Sequence, residues 1–165
     1  MKKEFLEAIA RALLGCSAWM DEKVRLEEVR FDKLIDATAL CLMDAEAIAQ
    51  RVIGHMERKD KLRIINNATK QIVANMPRRL EQVAKWHFFN GLKEEDVAKK
   101  MKLSERMICR KIAQIVKIFA ERMGNYYINK ETFGEIMGFY PVLKSEFIAA
   151  YSSMRGQGNE GRMAS

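Results

Sequence analysis

The chain has 165 residues, a net charge of +7, only two prolines, and many Met, Leu, Ala, Lys and Glu residues. This length suits one well-buried domain or two small helical ones, and the composition favours helices over strands. We therefore expect an all-α protein. No apolar run approaches the roughly 18 to 20 residues that cross a bilayer, so we expect a cytoplasmic protein without a membrane partner. The three cysteines are odd in number and lack CxxC spacing, which indicates neither a disulfide framework nor a zinc finger.

The positive charge is concentrated in the middle of the chain. Residues 1–57 contain 8 basic and 11 acidic residues, 58–76 contain 5 and 1, 77–123 contain 12 and 6, and 124–165 contain 4 of each. Such asymmetry predicts a polyanion-binding module between a more acidic helical part and a neutral tail. The alternative at this point is a basic solvated face with no partner.

An acidic helical domain is predicted over residues 1–57. A short amphipathic helix is expected at 3–14, and a longer helical stripe over 21–56 predicts two helices or one kinked helix. The stripe can be core or a seam for a second subunit. Homodimerisation through residues 21–56 therefore stays open, although no strict heptad with charged flanks is visible.

Residues 58–76 open with the charged run RKDKLR and are interpreted as a basic hinge plus a short helix. Pro77 suits the first position of the next helix, where a missing N–H costs nothing, and it disfavours helix at Met76. The amphipathic helix that follows is predicted to stop at Asn90-Gly91, because glycine readily adopts the left-handed conformation of a helix end.

A helix-turn-helix module is predicted over 77–123. The patterns EEDVAKKM and SERMICRKI are separated only by Lys102 and Leu103. Ala98 is small enough for the second helix to cross closely, Leu103 is expected to plug the elbow, and Ser104 is suited to cap the second helix. The residues expected to face inward on that helix are Ile108, Ile112, Ile115 and Phe119.

Several outward-facing residues of this module suit double-stranded DNA as a partner. Arg106 and Arg110 can each make paired hydrogen bonds to guanine, and Glu105 can accept a hydrogen bond from cytosine. The outward-facing candidates for base reading are Glu105, Arg106, Cys109 and Arg110. The candidates for DNA-backbone contacts are Arg78, Arg79, Lys93, Lys99, Lys100, Lys102, Lys111 and Gln114.

The stretch from Met76 to Phe119 resembles region 4 of bacterial sigma factors and the related modules of phage late-transcription regulators. It is also similar to the output domain of luminescence-regulator-type response regulators. The features that carry the resemblance are Met76-Pro77, the helix end Phe89-x-Gly91-Leu92, Asp96-Val97-Ala98, Leu103-Ser104, Ile108 and Lys111-Ile112. The resemblance implies that the second helix reads a promoter element in the major groove and that RNA polymerase is a partner. It assigns base reading to Ser104, Glu105, Arg106, Cys109 and Arg110.

The sequence departs from that family pattern at two positions of the module. Lys102 stands where glycine is usual in the turn, so the turn is strained if the φ angle of Lys102 is positive. Met107 stands where threonine is common. Upstream, residues 1–75 show no cluster of aromatic and basic residues like the promoter-melting part of full sigma factors. We therefore predict a sigma-like regulator rather than a complete sigma factor.

The remaining segments and functions are less specific. Residues 124–152 are predicted to form an aromatic helical extension, and 153–165 a flexible tail with too little apolar content to order itself.

His55 and His87 belong to no recognisable acid-base or metal spacing, and phosphate-binding loops are absent, so we predict neither an enzyme nor a cofactor. The alternative function is a helical assembly or protein-interaction protein, such as a small phage packaging subunit. Regulation through the first 75 residues, by a ligand or a partner, also stays open.

Overall fold

Eight α-helices and no strand occur in the part of the chain that the computed structural model describes, which confirms the prediction of an all-α protein. The description covers residues 3–38 and 45–163, with side chains for 3–36 and 45–156. The helices are α1 (Lys3–Gly15), α2 (Ser17–Thr38), α3 (Ala45–Ala74), α4 (Arg78–Ala84), α5 (Glu94–Met101), α6 (Glu105–Arg122), α7 (Lys130–Phe139) and α8 (Pro141–Met163). A π-helical turn, Lys85–Phe89, extends α4, and a 3-10 turn, Met123–Tyr126, follows α6.

The first helix holds the two ends of the fold together. Helix α1 packs against both α6 and α8. Its Ile9, Leu13 and Leu14 are fully buried and join a single apolar cluster that also includes buried residues of α3, α4, α6, α7 and α8. Because burial of apolar surface is the main favourable contribution to folding, the segments on both sides of 77–123 stabilise that module directly.

The predicted hinge at 58–76 is wrong, because α3 runs without interruption from Ala45 to Ala74. Lysine and arginine have high helix propensity, so a charged run can continue a helix as well as interrupt one. Within this run Leu62 is fully buried while its charged neighbours stay at least partly accessible. The chain does break at Met76-Pro77 as predicted, although Pro77 occupies the N-cap of α4 rather than the first helical position.

Helices α2 and α3 pack against each other and form the α2–α3 pair. The stripe predicted on 21–56 faces partly into this contact: Val24, Phe31, Leu34, Ile48 and Val52 are half-buried, and Ile35 and Met56 are exposed. Leu42, another apolar residue of this stripe, lies outside the described residues. Two helices are therefore confirmed. Homodimerisation through 21–56 stays a prediction.

The backbone of α8 is helical as far as Met163, so residues 153–163 of the predicted tail continue that helix, and the flexibility of the tail stays a prediction. Extending an existing helix adds a hydrogen bond for each residue without a new nucleation cost, so a weakly apolar segment can follow a stable helix. No helix among the described residues is both long and apolar enough to span a bilayer.

Candidate nucleic-acid interface

The loop that leads into the helix-turn-helix is fixed by backbone hydrogen bonds and one histidine. The π-helical turn closes with the Asn90 N–H donating to the carbonyl oxygen of Lys85 over 2.9 Å. Gly91 adopts a left-handed φ of 69°, which confirms the predicted helix stop. The His87 ring lies with Nδ1 2.8 Å from the carbonyl oxygen of Leu92, and donation from Nδ1 to that oxygen gives His87 a structural role.

The turn between α5 and α6 has the hydrogen bonds of a Schellman motif. The N–H of Leu103 donates to the carbonyl oxygen of Ala98 over 3.1 Å, and the N–H of Lys102 donates to that of Lys99 over 3.3 Å. Lys102 has φ 55° and ψ 43°, the left-handed conformation. A side chain with a Cβ costs about 1 kcal/mol or more in this region, so the turn keeps its geometry against local strain.

The first helix supports the second at a close crossing. Ala98 is 5% exposed and Val97 is fully buried where α5 packs on α6. At the start of α6 the Ser104 hydroxyl oxygen accepts the N–H of Met107 over 3.2 Å, so the predicted N-cap is confirmed. The four residues predicted to face inward, Ile108, Ile112, Ile115 and Phe119, are all buried. One face of α6 is thus fixed to the core.

The opposite face of α6 carries the residues predicted to read bases. Ser104, Glu105, Arg106, Cys109 and Arg110 are all exposed. Arg106 and Arg110 are four positions apart, so they lie one above the other on the same side of the helix. Within the described residues, neither guanidinium takes part in an ion pair. Both therefore present their full set of N–H donors to solvent.

Cys109 differs from the other members of this set because its thiol already has a partner. The Sγ–H donates to Oε2 of Glu94, in the first turn of α5, over 2.8 Å. This hydrogen bond raises the pKa of Cys109 above its ordinary value, and desolvation and the negative charges nearby act in the same direction. Sequence reasoning missed Glu94, since the two residues are 15 positions apart and only the crossing of α5 and α6 brings them together.

The candidates for DNA-backbone contacts lie on α4, α5 and α6 and in the segments on either side of α5. Arg78, Arg79, Lys93, Lys99, Lys100, Lys102 and Gln114 are exposed, and Lys111 is half-buried. Two of these cations have local partners: Lys99 lies 3.2 Å from Oε1 of Glu95, and the Lys100 ammonium lies 5.6 Å from the centre of the Trp86 ring. Exposed pairs of this kind are weak, so they do not prevent a phosphate contact.

No group of acidic, histidine or cysteine side chains suited to hold a metal ion occurs in the described part of the chain. His55 lies on α3 beside Glu27, in a different part of the fold. The exposed face of α6 carries two guanidiniums together with hydroxyl, thiol and carboxylate groups. Its two unpaired cations suit binding to an anionic polymer.

Comparison with known proteins places this module in a larger matched segment. A protein-family model described as ECF sigma factor matches residues 26–124. The matched segment is well over half of the chain. It begins within α2, includes α3, α4, α5 and α6, and therefore extends about 50 residues upstream of the stretch that resembles region 4. No curated protein and no solved structure matches the chain.

Proposed function

The chain belongs to the ECF sigma factor family and is therefore a sigma-like transcription regulator, and from this premise we propose that α6 reads a specific DNA sequence in the major groove. The family implies DNA and RNA polymerase as partners. The proposal adds which helix recognises DNA, and by which side chains.

The observation that carries the proposal is the pair of unpartnered guanidiniums on the first turns of α6. Arg106 and Arg110 are exposed on one side of a helix whose other side is buried and whose N-terminus is capped by Ser104. A guanidinium fork matches the O6 and N7 acceptors of guanine, and a major groove admits an α-helix. We assign guanine reading to these two arginines.

Neighbouring side chains are assigned supporting roles. Glu105 is exposed and can accept a hydrogen bond from cytosine. The hydroxyl of Ser104 and the thiol of Cys109 make hydrogen bonds inside the protein, so we assign them contacts at the edge of the groove. The surrounding lysines and arginines bind phosphates and release counterions, which makes affinity fall steeply with added salt.

A binding selection on random duplex DNA tests this assignment. The parent, Arg106→Ala and Arg110→Ala are each selected and sequenced, and Arg63→Ala is the matched control because Arg63 is an exposed arginine on α3. We expect the parent and Arg63→Ala to recover one common motif. Each variant of α6 should lose preference at one position of that motif, by roughly tenfold to a hundredfold in relative affinity.

Two outcomes contradict the proposal. If Arg106→Ala and Arg110→Ala both recover the motif of the parent, these arginines do not read bases. If the parent recovers no motif at any salt concentration, α6 does not recognise a DNA sequence, and the function as a helical assembly protein becomes the better explanation.

A further inference from the structure

A second candidate site lies in a cleft of about 570 Å³ between α2, α3 and the corner where α7 meets α8. None of the side chains that line it belongs to residues 77–123, so it is separate from the proposed DNA-binding surface. Its volume lies in the range of about 300–1,000 Å³ that is typical of small-molecule sites.

The floor of the cleft is a buried carboxylate whose charge is compensated. Glu27 is 6% exposed. Nζ of Lys23 lies 2.9 Å from its Oε1, and Nε2 of His55 lies 3.3 Å from its Oε2. The same His55 nitrogen is 3.1 Å from the carbonyl oxygen of Glu27. Because a buried carboxylate is rarely left without a partner, the Lys23 ammonium also offsets the repulsion that Glu27 would exert on an anion.

Two arginines leave the cleft positively charged. Arg30 is largely exposed, with Nη1 3.8 Å from Oε1 of Glu27, beyond hydrogen-bonding distance. Arg58 lines the cleft from α3, and its guanidinium forms no ion pair with a described residue. Together with Lys23 the lining has three basic side chains against one acidic side chain. Guanidinium forks bind carboxylate and phosphate groups in a bidentate way.

The remaining lining is apolar and includes three aromatic side chains. The rings of Trp19 and Tyr140 meet edge to face with their centres 5.8 Å apart, and Phe139 is 40% exposed beside them. The Tyr140 hydroxyl donates to the carbonyl oxygen of Arg58 over 3.3 Å, which links the corner of α7 and α8 to α3. Burial, and then the charge of Glu27, raise the pKa of Tyr140 to about 12, so the phenol is neutral at physiological pH.

We propose that this cleft binds a small molecule in which a phosphate or a carboxylate is joined to a planar aromatic ring. The two arginines bind the anion, and the Trp19, Phe139 and Tyr140 wall contacts the ring. Because the lining comes from α2, α3 and the α7–α8 corner, the bound molecule bridges the α2–α3 pair and the C-terminal helices. The proposal does not depend on DNA recognition by α6.

Trp19 provides a direct measurement of binding. The chain has two tryptophans, and Trp86 lies in the helix-turn-helix module, so the Trp86→Phe variant makes the fluorescence specific for the cleft. This variant is titrated at constant ionic strength with phenyl phosphate and, separately, with benzoate, which distinguishes a phosphate ligand from a carboxylate ligand. Inorganic phosphate, which has no ring, is used as a competitor.

We expect a saturable change in Trp19 emission with at least one of the two aromatic anions, and a rise in the melting temperature of the protein. Arg30→Gln and Arg58→Gln should each lower the affinity about tenfold or more. The matched controls Arg25→Gln and Arg63→Gln, on the same two helices but outside the lining, should leave it unchanged. Inorganic phosphate should compete at least about tenfold more weakly than the aromatic anion.

The proposal is overturned if neither aromatic anion produces a saturable change. It is also overturned if Arg30→Gln and Arg58→Gln bind the aromatic anion as tightly as the parent does. A loss of affinity in the control variants equal to that in the cleft variants would overturn it too. The melting temperature of each variant without ligand shows whether its fold is retained. A variant that loses its fold is replaced by Arg30→Lys or Arg58→Lys, which keeps the charge but not the fork and should still bind more weakly than the parent.

Discussion

The helix-turn-helix module and the α2–α3 pair contain similar numbers of charged side chains but use them differently. In the module, Arg106 and Arg110 have no ion-pair partner among the described residues. In the α2–α3 pair, Lys23 and His55 both contact the carboxylate of Glu27. The number of charged side chains therefore does not distinguish the two regions. They differ in which charged side chains the packing of the helices leaves exposed and unpaired.

The two regions also differ in how deeply their apolar faces are buried. Ile108, Ile115 and Phe119 of α6 are fully buried, whereas Phe31 and Leu34 of α2 are only half-buried. Since the stabilisation from an apolar side chain grows with the area removed from water, the module should contribute more to the free energy of unfolding than the α2–α3 pair.

The largest expected effect comes from truncating one phenylalanine in each region. Phe119→Ala should lower the free energy of unfolding by about 3–5 kcal/mol, because it leaves a cavity in a fully buried site. Phe31→Ala should cost only about 1–2 kcal/mol, through partial burial and the loss of the Lys59 ammonium 4.5 Å from the ring centre. Urea unfolding followed by circular dichroism measures both. Equal losses would contradict the proposed difference between the regions.

A smaller effect is expected from overpacking the elbow. Ala98→Leu adds volume where α5 crosses α6 and should cost about 1–3 kcal/mol of unfolding free energy. It should also weaken binding to the selected DNA motif, because α6 is displaced from its support. Ala149→Leu, at an exposed position of α8, is the matched control and should change neither quantity appreciably. Unchanged DNA affinity in Ala98→Leu would show that the crossing does not position α6.

Replacing Lys102, the strained residue of the turn, should give a still smaller effect. The free energy of unfolding should rise, whereas the salt dependence of DNA binding should fall. Lys102→Gly removes the cost of a left-handed lysine and should raise the free energy of unfolding by about 0.5–1 kcal/mol. Because Lys102 is a candidate for a phosphate contact, the substitution should also reduce the salt slope of DNA binding by about 1. Lys102→Asn, which tolerates the left-handed conformation without a charge, should lower the slope equally and raise stability less. An unchanged slope in both variants would exclude Lys102 from the interface.

The smallest expected effect is a change in the alkylation rate of the Cys109 thiol. Because Glu94 raises the pKa of Cys109, the thiolate fraction at pH 8 is lower than for an ordinary cysteine. Glu94→Gln removes the negative charge, lowers that pKa and should speed alkylation of Cys109 by iodoacetamide, since the thiolate is the nucleophile. Peptide mass spectrometry separates Cys109 from the buried Cys16, whose pKa burial raises to about 11. An equal rate in parent and variant would contradict the hydrogen bond.

The helix-turn-helix geometry was predictable because it depends on contacts between residues close in sequence. Helical spacing identified the buried face of α6, and the serine at its start predicted the N-cap that the hydroxyl of Ser104 makes. The sequence predicted that the turn is strained if the φ angle of Lys102 is positive, and that angle is positive in the structure. The roles of the exposed side chains on DNA stay predictions, since no DNA contact is part of the fold.

The sequence by itself determined the all-α class, the turn between α5 and α6, and which face of α6 is buried, because helix propensity, capping and a 3.6-residue period act over a few residues. Only the tertiary structure decided that the charged run at 58–63 continues a helix, that Glu94 holds Cys109, and that Glu27 and His55, 28 residues apart, meet beside Tyr140. These arrangements depend on which helices pack together. Which helices pack together depends on the burial of apolar residues that are far apart in the sequence, so it cannot be read from a local pattern.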